Sequence, residues 1–503
     1  MTSTRQNRAL WIAMGAVALL SMAAAATGIG VRASYGARVT GDEPYYLITS
    51  QSLGRDGNLN IADEISNEEF RDYHEIRLDE QTKPLSGGRR VSPHDPLLPA
   101  LLVLPMAIGG WVAAKLTLVT VAGALAALLV WIAVRRFGVP PLCAAVTIAI
   151  FAMSTPMAVY GNQVYPELPA ALCVAVSVAA LTARSFSVRA LGVLCLSVVA
   201  LVWLSVKFTP VAATLALVGL VKIWRARGVG AAGVFAIALG IAGLLFAAAH
   251  LRWYGGLTPY AVGDHFVDGQ LDVVGLEPDY AGRARRLVGL LVDRDFGLAA
   301  WQPAWLLMIP ATVALLRHRP RGWEGIAFPA LVGWLTATFV ALTMQGWWWP
   351  GRQVVVILPC VVLAIVWWAG RASGARLMVA GLGSLGILAY AWVVADGIAG
   401  RITWVVDFFD TTNPLYRAWR LVLPNYLDVS SLTWVLHWGW TIGLVAIAIL
   451  AWRSPVGPAR REPAGSSTSR DPNQSTENSV AMPSSKWLSR TPPSSSTMLQ
   501  KRT

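Results

Sequence analysis

The chain has 503 residues, 55% of them hydrophobic and 14% charged, with a mean hydropathy of +0.52. Soluble chains carry about a quarter charged residues, whereas here the apolar residues run in blocks near the roughly 20 that a membrane helix needs, so a soluble multidomain protein is excluded. The formal charge of +13 does not mark a nucleic-acid binder, because residues 32–95 hold eight Lys or Arg against twelve Asp or Glu, while 453–503 hold eight against three.

The basic start MTSTRQNR precedes an apolar segment at 9–31. Ala23 to Ala26 would suit signal-peptide cleavage, but the length of the stretch favours an uncleaved anchor. A polar loop, 32–95, follows. The next apolar piece, 96–110, is short and holds Pro96, Pro99 and Pro105. It reads as a juxtamembrane or re-entrant helix rather than a full span. Further spans are expected at 111–134, 140–160, 167–182, 190–206, 209–224, 231–251, 297–316, 325–345, 353–370, 376–395 and 432–452. With the first, these make twelve.

Charge tests this register. With the N-terminus inside, the inner loops contain Arg135 and Arg136; Arg184 and Arg189; Lys222, Arg225 and Arg227; Arg317, His318, Arg319 and Arg321; Arg371 and Arg376; and Arg453. All are basic, as the positive-inside rule requires. The expectation is an all-α polytopic membrane protein with both termini cytoplasmic. One domain covers 1–452, with 32–110 as its large outer loop. The tail, 453–503, is rich in Ser, Pro, Thr and Arg and should be disordered. Low Lys with abundant Ala, Val, Arg and Gly suggests a high-GC bacterium and hence its plasma membrane. Cys143, Cys173, Cys195 and Cys360 all lie in apolar blocks and read as packing residues.

Ionisable residues are the informative ones in a membrane protein. The span interiors are almost free of them, Lys115 and Lys207 excepted. Polar residues gather instead at the outer ends of the spans. In GDEPYYL, Asp42 and Glu43 stand beside Tyr45. In SPHDPLLPALLVLP, His94 and Asp95 open an apolar helix. In YGNQVYPELP, Glu167 opens a span, and in LSVKFTP, Lys207 separates two. Arg283, Arg285, Arg286 and Arg294, and Arg352 in WWWPGRQ, are basic on the outer side and break the positive-inside pattern. Each has a plainer reading: a solvated acidic turn, an N-capping Asp95 followed by Pro96, a carboxylate at a helix start, a snorkelling lysine, a solvated amphipathic helix.

Together these elements resemble the GT-C glycosyltransferases, in particular protein O-mannosyltransferases and lipid A aminoarabinose transferases. The order matches: first span, Asp-Glu in the first outer loop, an H-x-P-L type helix, a carboxylate opening the fourth span, and a basic residue between the fifth and sixth. WYGGLTPY, LLVDRDFGLAAWQPAWLL and WWWPGRQVVVILP are similar to later family blocks, and the resemblance covers roughly residues 1–395. Two departures stand out. The family often has His-Pro-Pro-Leu where this chain has His94, Asp95, Pro96 and Leu97, and often Asp where this chain has Glu167.

The resemblance implies a polyprenyl-phosphate sugar as donor, presented from the outer leaflet, and an acceptor glycan, lipid or protein. Asp42 would be the general base, with inversion, and Glu43 its neighbour in the catalytic pair. Glu167, His94, Asp95 and Tyr45 would contact acceptor or sugar. Lys207, Arg352 and Arg286 would bind the donor phosphate. No cofactor is required, because a monophosphate lacks the pyrophosphate oxygens that recruit Mg²⁺; a divalent metal on Asp42 and Glu167 would be compatible. A transporter or flippase of envelope lipid or polysaccharide, or an envelope scaffold, is the alternative the residues alone leave open.

Overall fold

A computed structural model of the protein describes residues 2–39, 41–183, 187–263 and 278–454. Among these residues the chain is helical, with isolated bridges and no β-strand. Among the described residues six helices are long and apolar enough to cross a membrane, and three shorter apolar helices accompany them. The tail expected from 453 lies outside the described residues from 455 onward.

The principal helices are α1 (Thr2–Thr27), α2 (Glu43–Arg55), α3 (Leu97–Arg135), α4 (Pro141–Ala152), α5 (Glu167–Leu181), α6 (Val188–Leu204), α7 (Thr209–Tyr254), α8 (Arg286–Val292), α9 (Met308–His318), α10 (Glu324–Phe339), α11 (Leu358–Ala369), α12 (Ser373–Ile398) and α13 (Ser431–Arg453). α1 packs on α3 and α4, α5 on α6, α6 on α7, and α9 on α11 and α13. Every residue of α11 is buried, as expected of a helix that is apolar all round. By contrast α7 exposes Val234, Ile237, Ile241 and Leu244. Large apolar side chains facing outward are what lipid requires.

The 96–110 piece is not separate. It forms the first turns of α3, joined to the rest where Gly109 and Gly110 leave helical backbone angles. A straight α7 would be about 69 Å long, more than twice the roughly 30 Å of a bilayer core. The chain must therefore turn back, and Gly228, at φ +83°, interrupts the helix. Asp95 shows that it does. One of its oxygens accepts from the Val206 amide at 2.8 Å and the other meets His250 Nε2 at 3.0 Å. Residues flanking the two ends of α7 thus share one carboxylate, and the segments expected at 209–224 and 231–251 lie antiparallel.

Three expected spans are not continuous helices. The 140–160 segment breaks after α4 at Ser154–Pro156. The 297–316 segment breaks at Gln302, before the 3-10 turn Pro303–Leu307. The two breaks satisfy each other: Gln302 Nε2 donates to Ser154 Oγ at 2.7 Å, and Trp305 Nε1 donates to the Thr155 carbonyl at 3.1 Å. Non-helical backbone at membrane depth survives only when buried in protein, and Ser154, Thr155 and Gln302 are all buried. The 325–345 segment stops being helical at Phe339.

Candidate active site

The topology brings several chain ends to one end of the bundle. The polar loop leaves α1 and returns to α3. α5 begins there, α6 hands over to α7 there, and α11, the buried helix, begins there. Each junction delivers one polar side chain.

Asp42 sits at the start of α2. Gly41 before it has φ +64°, and a Cβ there would stand 2.8 Å from the Tyr165 hydroxyl, so the turn needs glycine. Glu167 opens α5 and is fully buried. Lys207 lies in the 3-10 turn Val206–Phe208 between α6 and α7. Arg352 follows Gly351, whose φ is +89°, and begins the 3-10 turn Arg352–Ile357 that runs into α11.

These four form one ionic cluster. Lys207 Nζ donates to Glu167 Oε1 at 2.6 Å, and Arg352 Nε donates to the same oxygen at 2.8 Å. Arg352 Nη2 donates to Asp42 Oδ2. Glu167 Oε2 is buried without a hydrogen-bond partner. The Arg352 guanidinium lies 4.2 Å from the Tyr165 ring centroid and 5.1 Å from that of Trp348, in the geometry of cation–π attraction. Aromatic rings thus flank the guanidinium while its edge nitrogens reach the two carboxylates.

His94 completes the cluster. Its Nε2 is 4.0 Å from Asp42 Oδ1 and 3.2 Å from Gln81 Oε1, and its ring stacks on Tyr46 at 4.7 Å. Burial pushes its pKa down to about 4, so the imidazole is neutral at pH 7. Burial would raise the Asp42 carboxyl, but the Arg352 guanidinium outweighs that and holds it well below the usual carboxylate range. Two carboxylates, Asp42 and Glu167, thus face two basic side chains, Lys207 and Arg352.

The remaining expected residues are placed elsewhere. Glu43 turns away from the cluster: it is buried, and its Oε1 accepts from the Val164 amide at 2.7 Å. That bond fastens α2 to the segment leading into α5. The Tyr45 hydroxyl is spent on the loop, donating to the Asp79 carbonyl at 2.7 Å and accepting from the Gln81 amide at 3.0 Å. Asp95 does not cap α3. Its oxygens hold Val206 and His250, so it braces the turn that carries Lys207.

Arg286 does not reach the cluster either. Its guanidinium donates to the carbonyls of Ala341 at 2.7 Å and Leu342 at 3.2 Å, and Arg283 donates to the Phe339 carbonyl at 2.6 Å. A helix C-terminus leaves carbonyls unsatisfied and carries partial negative charge. Arg283 meets that need at the last residue of α10 and Arg286 donates to the two carbonyls just beyond it, so both outer-side arginines are occupied by backbone at the point where the 325–345 segment leaves the helix.

Sequence reasoning missed Tyr46, Tyr165 and Trp348. The signal for Tyr46 was present: it lies four residues after Asp42, on the same face of the helix that follows.

The arrangement defines a polytopic membrane protein with a buried, ion-paired polar site at one end of its bundle. No family model matches the chain, and no curated protein matches it. It is similar to the crystal structure of ArnT from Cupriavidus metallidurans bound to undecaprenyl phosphate, at 15% identity and a TM-score of 0.45 over 88% of this chain and 72% of that one. At that overlap the likeness carries no weight for fold or activity.

Proposed function

We propose that the protein is an integral membrane glycosyltransferase of the GT-C type. It moves a sugar from a polyprenyl-phosphate donor to an acceptor hydroxyl at the outer face of the plasma membrane, with inversion and with Asp42 as general base. The observation that carries this reading is the sharing of Glu167 by Lys207 and Arg352 while Arg352 also holds Asp42. Two basic side chains and a carboxylate base in one cluster are what transfer from a lipid phosphate needs.

The donor is a phosphodiester, and its phosphate gains negative charge as the sugar departs. Cations already fixed in a partly shielded site stabilise that charge. Arg352 turns from Asp42 to the phosphate, and Lys207 joins it. Asp42, relieved of the guanidinium that depresses its pKa, becomes a better base. The acceptor oxygen bonds to the anomeric carbon as the carbon–oxygen bond to phosphate breaks. The electron pair leaves with polyprenyl phosphate, and the acceptor proton passes to Asp42. Glu167 Oε2, with lone pairs to spare, accepts from a sugar or acceptor hydroxyl, and neutral His94 stands beside Asp42. No metal is required, because the two basic side chains already meet the phosphate charge; a divalent ion on Asp42 and Glu167 would take the place that the Arg352 guanidinium holds between them.

The test uses protein in lipid offered a panel of radiolabelled polyprenyl-phosphate sugars. Transfer or release of sugar by one donor supports the reading. If none is turned over while lipid crosses the bilayer at a rate indifferent to Asp42→Asn, the protein is a transporter.

A further inference from the structure

α2 begins at the ionic cluster and ends at Arg55, and a second acidic group lies at that far end. Asp56 follows the helix, and Asp63 and Glu64 lie in the short helix Ala62–Ser66. One carboxylate oxygen from each of the three falls within 4.8 Å of the others. Among the described residues no Lys, Arg or His pairs with any of them: Arg55 is turned to Glu69 and Arg90 to Glu80.

Glu64 is the independent observation. It is 1% exposed, and both its carboxylate oxygens are buried with no hydrogen-bond partner. A buried carboxylate without a donor is costly, and here it points among two further carboxylates. Asp56 adds to the mismatch, since a negative charge at a helix C-terminus opposes the helix dipole. One cation answers all three difficulties.

We propose that Asp56, Asp63 and Glu64 bind a hard divalent cation, of which calcium is the best match. Oxygens each about 2.4 Å from one calcium ion lie no more than about 4.8 Å apart, and one oxygen of each of the three carboxylates falls within that limit of the others. The donors are oxygens alone, with no His or Cys to favour zinc or copper.

The connecting loop is already built. Ser52 Oγ donates to the carbonyls of Asn58 at 3.1 Å and Asn60 at 2.8 Å. Asn58 Oδ1 accepts from the Asn60 amide at 2.7 Å, and Asn60 Oδ1 accepts from the Arg90 amide at 2.9 Å. The asparagines are thus spent on the loop. The ion would take the three carboxylates and complete its shell with water, a set that gives moderate affinity. Binding would fix the end of α2 and, through that helix, the position of Asp42.

The experiment is calorimetric titration of calcium into the full chain in nanodiscs, stripped beforehand with chelator, with magnesium as comparison. Thermal unfolding is followed with and without calcium. One ion per chain is expected, with Kd of about 10⁻⁴–10⁻³ M, together with a calcium-dependent rise in Tm. Asp63→Asn, a change at an exposed side chain, and Glu64→Gln should each weaken binding at least about tenfold and shrink the rise. If Glu64→Gln fails to fold, Asp63→Asn decides. No binding up to about 10 mM calcium, or binding unchanged in Asp63→Asn, overturns the proposal.

Discussion

Lys207 and Arg352 meet on the same oxygen of Glu167, at 2.6 and 2.8 Å. They come from different junctions of the bundle, so one carboxylate fixes the spacing of two cations. Breaking a buried pair by removing one partner typically costs about 3–5 kcal/mol, because the charge left behind is uncompensated. Glu167→Gln should lower thermal stability by an amount of that order and abolish transfer. An unchanged Tm would show that the two cations do not depend on Glu167.

Arginines with different placements should behave differently. Arg352→Lys keeps a charge but loses the planar fork that spans Asp42 and Glu167. Transfer should fall roughly a hundredfold or more, as when one stabilising donor is removed from an active site, while the fold persists. Arg286→Ala removes the donor to the Ala341 and Leu342 carbonyls just beyond α10. It should cost about 1–2 kcal/mol of stability and leave the donor KM unchanged. Equal losses of activity in the two variants would count against separating their roles.

Asp95 is expected to act at one remove. Asp95→Ala frees both Val206 and His250, so backbone amides at 205–209 should exchange hydrogen faster. The donor KM should rise through misplacement of Lys207. Unaltered exchange in that turn would contradict the bracing role.

The buried imidazole of His94 gives a pH dependence with a definite sign. Its pKa in the folded chain is about 4, against an ordinary value near 6.5. Between these values the unfolded chain binds the proton and the folded chain does not. Stability is therefore full above about pH 6.5 and declines as pH falls toward 4, by at most roughly 3 kcal/mol. His94→Asn should flatten the fall in Tm between pH 7 and pH 5. A variant as acid-sensitive as the parent would place the effect elsewhere.

Much of this architecture is legible in the sequence because a bilayer punishes exceptions. Polar residues that interrupt apolar blocks stand out, and Glu167, Lys207 and Arg352 are visible for that reason, whereas Asp42 and His94 lie in a polar loop and are singled out only by the order of the motifs. Their convergence follows from the alternation of spans, which puts each at the same end. What stayed hidden was partner choice. An arginine on the outer side reads the same whether it meets a phosphate or a helix end, and Arg286 takes the helix end. Asp95 looked like a helix cap, since its true partners, Val206 and His250, are more than a hundred residues away. The breaks at Ser154 and Gln302 were masked by apolar neighbours, and only packing of one break on the other makes them tolerable.

The most direct test compares donor binding and transfer in Asp42→Asn. Losing the carboxylate frees Arg352 from its resting partner, so polyprenyl phosphate should bind at least as tightly as to the parent. Transfer should fall at least about a hundredfold, within the range that general-base catalysis supplies. Retained transfer, or binding lost together with transfer in a folded variant, would contradict Asp42 as the base and the exchange of Arg352 from carboxylate to phosphate.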